Sequence, residues 1–356
     1  MNDTLLLFAD ASSVHTRRWV HEMVARGLRC VVVTRRPADM AGTEVLAVRP
    51  GADATGWFLA LPEVRALARR LRPRWVHGHY VTSYGMWAAA CGDLAPVVLT
   101  AWGSDLLVTP REAGWRGRLM KVLVGHTLRR AALVTADSHD LLEAARAYGM
   151  PGRGEEVSWG ADTEVFRPGR PAPGFELASL RSWEPNYRIE TLLRAFAMFL
   201  RLRPGAQGVL HLLGGGSEEP RLRDEAARLA ITEQVRFTGR VDDAEMVATL
   251  QRCRVSVSVP DSDATSVSVL ESMACGLPVV ATDLPANRQW LQPELLVPRA
   301  DPDALVQRLL LLHDDPLRAA AIGQRNRELV LQRASRRSEM DHMLALYRAV
   351  AVEGKR

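Results

Sequence analysis

Short apolar runs recur along the chain: LLLFA at 5–9, CVVVT at 30–34, TEVLAV at 43–48, WVHGH at 75–79, PVVLTA at 96–101 and LVTA at 133–136. Between them lie stretches of helical period, among them WVHEMVARG, LPEVRALARRL and SYGMWAAAC. Gly27 closes the first of these at a helix C-cap. Runs of four to six apolar residues, separated by helical stretches, predict βαβ units and a parallel sheet.

The rhythm breaks at WGADTEVFRPGRPAPG (159–174), where three prolines and three glycines allow no period. It then restarts: FELASL (175–180), a helix over 187–203, VLHLLGGGS (209–217), a helix to 230, QVRFTG (234–239), VSVSV (255–259), PVVAT and ELLVP. Helices at 301–314, 315–333 and 335–352 close the chain. The expected fold is α/β, two doubly wound Rossmann-like domains facing a cleft. The expected division is 1–160, a hinge over 161–174, 175–335, and a C-terminal helix over 336–356 that crosses back to the first domain. In such sheets ligands bind at the carboxyl ends of the strands.

Composition adds limits. At 356 residues, 47% hydrophobic and 24% charged, the chain suits two soluble globular domains. Net charge is only +5 although the pI is about 9.3, and almost every cation is Arg. Basicity alone is therefore no sign of nucleic-acid binding, and no nucleic-acid partner is expected. Four scattered cysteines suit reduced thiols and a cytoplasmic location. The N-terminal MNDTLLLFADASS lacks a basic start and does not resemble a signal peptide.

Candidate chemistry concentrates at DSDATSVSVLESMACGLPVVATD (261–283). Thr265 or Ser266 can open a helix that Gly276 and Pro278 stop. Its N-terminal amides and dipole make an anion site, with Asp263 just before it and Glu271 two turns in. Eight residues of helix rise about 12 Å, roughly the span from a ribose to a sugar beyond its pyrophosphate.

This stretch resembles the E-x7-E region of retaining glycosyltransferases of the GT-B fold, in particular family 4, with Asp263 in place of the first Glu. SWGADTEVFRP, LHLLGGGSEEPRL and VRFTGRV resemble the family's hinge, glycine turn and base-side strand. The resemblance covers essentially the whole chain. It implies transfer of a sugar from a UDP- or GDP-linked donor to a hydroxyl acceptor, with retention of configuration and no metal or other cofactor. Asp263, Thr265, Ser266 and Val267 would hold the donor sugar and diphosphate, and Glu271 the ribose. Arg240 and Val241 would meet the base, with Gly215 in the glycine turn. The family's Arg matches Arg181. Its Lys position falls near Tyr187, with Arg188 adjacent.

In the first domain Ser12 and Ser13 stand where the family has paired glycines, with His15 following. Trp102 occupies the position of a His near the reacting sugar. Asp105 and His79 are the remaining candidates for catalysis beside Arg181 and Asp263, and Asp105 reads equally well as a helix cap. His15, Tyr80 and Trp102 are expected on the acceptor side. Residues 111–130 mix six cations with Trp115, Leu119, Met120, Val122, Leu123 and Leu128. Such a segment is either an ordinary helix with a basic face or a contact for the inner face of an anionic membrane, where a lipid-linked acceptor would be presented. A glycan or small-molecule acceptor is equally open. The alternatives are a D-x-D transferase holding a metal at 261–263, a nucleotide-sugar epimerase of the same fold, and a partner subunit that has lost chemistry.

Overall fold

The computed structural model describes residues 3–48, 55–107 and 114–353. Two compact units divide it. Residues up to Ser158 and from Ser338 onward form the first, and Trp159–Arg337 the second.

The first unit carries seven parallel strands: β1 (Thr4–Phe8), β2 (Arg29–Thr34), β3 (Glu44–Ala47), β4 (Trp75–His79), β5 (Val97–Thr100), β6 (Leu133–Ala136) and β7 (Arg153–Glu156). They run in the order β3-β2-β1-β4-β5-β6-β7. The second holds β8 (Glu176–Ser179), β9 (Val209–Leu213), β10 (Val235–Gly239), β11 (Val255–Ser258), β12 (Val279–Thr282) and β13 (Leu296–Val297), ordered β10-β9-β8-β11-β12-β13. The strand order reverses between β1 and β4 in one sheet, and between β8 and β11 in the other. Helices cover both faces, so the central strands are buried throughout, as their unbroken apolar runs require.

The second sheet has a core on each side. Phe196, Phe199, Leu210 and Leu309 pack on one face, Phe166, Leu250, Met273 and Val330 on the other.

Among the elements that the sequence pattern did not announce are one strand and two helices. β7 reads RGEE and pairs with β6 at the sheet edge, where charged side chains are tolerated and protect against further pairing. The helices His139–Ala147 and Asp243–Arg252 each show a broad polar face.

Residues 161–174 are not a free connection. Ala161 pairs with Ser335, Phe166 is fully buried, and Ala172 N–H bonds the Arg252 carbonyl. Prolines removed the period without removing the packing. The C-terminal helix Arg336–Glu353 lies mostly in the first unit, where Trp75 and Trp19 donate to the Tyr347 carbonyl and hydroxyl.

Candidate active site

The loop after β8 carries Arg181 and the loop after β11 carries residues 261–266, so the reversal of strand order brings the two together. Arg181 is 8% exposed. Its guanidinium donates to Asp263 Oδ2 at 2.7 Å, to Ser268 Oγ at 3.1 Å and to Ser266 Oγ. It also lies 4.4 Å above the Tyr187 ring. Arg181 Nε is buried with no hydrogen-bond partner among the described residues. Burial raises the Asp263 carboxyl pKa, and the adjacent guanidinium opposes that rise.

Ser266 precedes the helix Val267–Ala274 in extended conformation, but its side chain makes no cap bond and turns to Arg181 instead. Asp242, by contrast, caps the helix that follows it through Glu245 N–H. The N-terminus of 267–274 therefore retains its anion-attracting character. Behind it, Gly276 at φ +75° ends the helix, and Gly323 of the helix Pro316–Arg333 sits so close that a Cβ would collide with the Gly276 carbonyl. Asn326 donates to the Leu277 carbonyl at 2.9 Å and Arg327 to that of Ala274. The short helix is thus held from its far end.

Glu271 is 3% exposed, with Arg336 Nη2 at 3.8 Å from its carboxylate. Thr265 is buried and accepts from Gln289 at 3.0 Å. The glycine turn after β9 lies against the Arg181–Trp183 loop: Trp183 N–H bonds the Gly215 carbonyl, and side chains on Gly214 or Gly216 would strike backbone there. Gly214 N–H reaches the Gly239 carbonyl, which brings Arg240 alongside Gly215. Gly215, Arg240, Val241, Arg181, Asp263, Thr265, Ser266 and Val267 thus follow the carboxyl ends of four adjacent strands.

Arg188 stands beside the 261–266 loop with its side chain 39% exposed. It pairs with Asp261 at 2.6 Å and adopts φ +48°. The roles of Ser268, Tyr187 and Asp261 around these arginines were not read from the sequence. Only the alternation of hydroxyls in TSVS and the first acid of DSD hinted at them.

In the first unit, His79 ends β4 fully buried, its pKa pushed down to about 3 by burial and then by His15. Its ring meets Trp19 and Trp102 at 5.2 and 5.3 Å. His77 is also buried, bonded to Tyr347 and Thr100. Asp105 is 1% exposed and accepts backbone N–H groups of Val81 at 2.7 Å and Trp102 at 3.0 Å. Burial raises its pKa against those bonds. Tyr80, Trp102 and His15 are partly exposed and in mutual ring contact through Trp102. Ser12 folds onto Asp10 through both its N–H and its hydroxyl, and Ser13 precedes the helix Val14–Ala25.

Of the basic segment, 111–113 lie outside the described residues. The rest forms the helix Trp115–Leu128 with Trp115, Leu119 and Val122 exposed. No helix among the described residues is long and apolar enough to cross a membrane.

The chain resembles known proteins. Residues 4–138 match the family described as glycosyl transferase 4-like, and 162–329 the glycosyl transferases group 1. A D-inositol 3-phosphate glycosyltransferase of Frankia alni is 30% identical over 294 residues, 70% of this chain and 69% of that protein. The chain belongs to the group 1 glycosyltransferases.

Another relative in this glycosyltransferase group is the GDP-mannose-dependent monoacylated alpha-(1-6)-phosphatidylinositol monomannoside mannosyltransferase of Corynebacterium glutamicum. It is 29% identical over 68% of this chain and 70% of its own. The chain spans about half the length of several other curated relatives. The GT-B fold is shared with Anabaena HepE, solved in complex with UDP, at TM-score 0.80 and 16% identity over 98% of this chain and all of that one.

Proposed function

We propose that this glycosyltransferase moves a sugar from a UDP- or GDP-linked donor to a hydroxyl acceptor, with retention and without a metal. One observation carries the donor reading: a buried Arg181 joined to Asp263 and to Ser266, the residue that opens the helix bearing Glu271. The guanidinium fork and the helix N-terminus stabilise the diphosphate as the glycosidic bond breaks and charge develops on it. Asp263 holds the donor sugar and Glu271 the ribose hydroxyls, while Gly215, Arg240 and Val241 meet the base. The departing phosphate takes the proton of the incoming hydroxyl on the same face of the sugar, which requires no side-chain nucleophile.

Metal-independence is supported by the partners of the DSD acids: Asp261 faces Arg188 and Asp263 faces Arg181. Among the described residues, the group that could hold a cation lies elsewhere, at Glu176, His211 and Cys253, and Arg252 binds both oxygens of Glu176. A cation would have to displace that arginine.

The acceptor is a glycan, a lipid-linked sugar or a small molecule. The Frankia and Corynebacterium names, an inositol phosphate and an inositol lipid, favour a cyclitol or glycolipid. Trp115, Leu119 and Val122 are 70%, 50% and 65% exposed along one stripe of a basic helix, which supports peripheral contact with the cytoplasmic face of an anionic membrane.

Calorimetric titration with UDP-, GDP-, ADP- and TDP-sugars in EDTA tests the donor reading. Base-selective binding without metal is expected. Binding restored only by Mn²⁺ or Mg²⁺ would move the site to the D-x-D class. Silence under both conditions would leave a partner subunit without chemistry.

A further inference from the structure

β4 does not lead into an ordinary helix. Tyr80 takes φ +65°, and Tyr80–Tyr84 winds wider than an α-helix before the helix Gly85–Ala90 begins. Two glycines make the turn possible. A Cβ on Gly78 would lie 2.6 Å from Gly85 Cα, and one on Gly85 would lie 2.7 Å from the Tyr80 carbonyl oxygen. A left-handed aromatic residue persists only where its surroundings over-determine it. Asp105 is one tie on this turn: its two carboxylate oxygens take the N–H of Val81, from the turn, and of Trp102, from the loop after β5.

The two loops so joined lay the rings of Tyr80 and Trp102 parallel, 5.0 Å apart and 12° from coplanar. His15 from the loop after β1 stands edge-on to Trp102 at 5.5 Å, and the buried His79 closes the inner side. This partly exposed aromatic pair sits at the carboxyl ends of β4 and β5, beside the reversal of strand order where such sheets bind ligands. A π face attracts the weakly positive C–H bonds of a saturated ring and leaves hydroxyls at the rim free to bond polar groups such as His15.

We propose that Asp105 is a positioning residue rather than a proton carrier. The Tyr80–Trp102 stack it builds is the platform on which the acceptor lies, and the acceptor is a pyranose or cyclitol presenting a flat C–H face. This rests on the transferase reading above.

Saturation-transfer NMR tests it, with methyl α-D-mannopyranoside, myo-inositol and p-nitrophenol as probes, in parallel with a nucleotide titration. Saturation of the two polyols is expected, with the mannoside C–H protons of one ring face strongest. In Trp102→Ala that saturation falls about 2- to 10-fold while nucleotide affinity is unchanged. Asp105→Asn should give the same loss together with an altered near-ultraviolet circular dichroism of the Tyr–Trp pair, because an amide nitrogen cannot accept from the second backbone N–H. Trp102→Phe keeps an aromatic face and should retain binding, which guards against loss through misfolding.

Saturation of p-nitrophenol alone, or of no probe, would overturn the acceptor class. Polyol binding lost in Trp102→Ala but intact in Asp105→Asn would overturn the positioning role. Nucleotide silence with polyol binding intact would count against the donor reading and not against the platform.

Discussion

Replacing Arg181 by methionine keeps the apolar stem and removes the charge that faces Asp263. Asp263 is then a largely enclosed carboxylate, its side chain 21% exposed, without its nearest cation. Removing one partner of a buried pair costs about 3–5 kcal/mol, and the residual exposure of Asp263 puts this case near the lower end, about 3 kcal/mol. For a unit the size of residues 159–337 that lowers the melting temperature by roughly 6–12 °C.

The pH dependence has a definite sign. Burial already raises the Asp263 pKa above its ordinary value of 3.8, and losing Arg181 raises it further. Between those limits the native state binds more protons than the unfolded chain, so stability falls as pH rises through the window. Scanning calorimetry at pH 8, 6 and 5 should show the Arg181→Met defect shrinking toward acid. Adding Asp263→Asn should recover much of the loss at pH 8, as a coupled pair requires. The reasoning is refuted if the double variant melts no higher than Arg181→Met alone at pH 8. Transfer activity of the single variant should fall about 10²–10³-fold, the range for losing one aimed donor to developing charge.

Other outcomes follow from the same geometry. Glu271→Ala should weaken nucleotide affinity by about 1.5–3 kcal/mol in calorimetry, the worth of hydrogen bonds to a charged group; unchanged affinity would remove the ribose role. Gly323→Ala drives a Cβ into the Gly276 carbonyl and should destabilise the second unit by about 1–3 kcal/mol, with nucleotide affinity falling too because the 267–274 helix shifts. Glu339, which accepts from Ser158 N–H, has its pKa pushed up to about 7 by burial. The first unit should therefore lose roughly 2 kcal/mol between pH 4.5 and 7, and Glu339→Gln should flatten that slope in urea titrations. Leu119→Asp with Val122→Asp should abolish flotation with phosphatidylglycerol vesicles and leave the melting temperature within a few degrees; undiminished flotation would discard the membrane contact.

Much of the fold was legible because buried parallel strands must be apolar on both faces, so VVVT, VVLT and VSVS announce themselves. β7 was not, since an edge strand of charged residues carries no such mark. The packing of residues 161–174 was equally illegible: proline and glycine abolish periodicity, yet Phe166 is buried and Ala172 N–H bonds the Arg252 carbonyl. In the candidate site, Arg181 came from the resemblance to family 4 and Asp263 and Ser266 from the acid–hydroxyl run, and the fold brings the three into direct contact. The φ of +48° at Arg188 and its pairing with Asp261 were not legible in the sequence.

The sequence by itself determined that two α/β units exist, where their strands lie, and that an acid–hydroxyl–acid run opens a short helix after one of them. Those are local properties, set by side-chain polarity and spacing along a few turns of chain. Only the tertiary structure decided that Ser266 turns from its own helix to Arg181, that Asp105 serves two backbone amides, and that His79 is sealed inside. Each depends on groups that strand order makes neighbours although tens of residues separate them in the chain, and on a buried polar atom having to bond whatever the fold brings beside it.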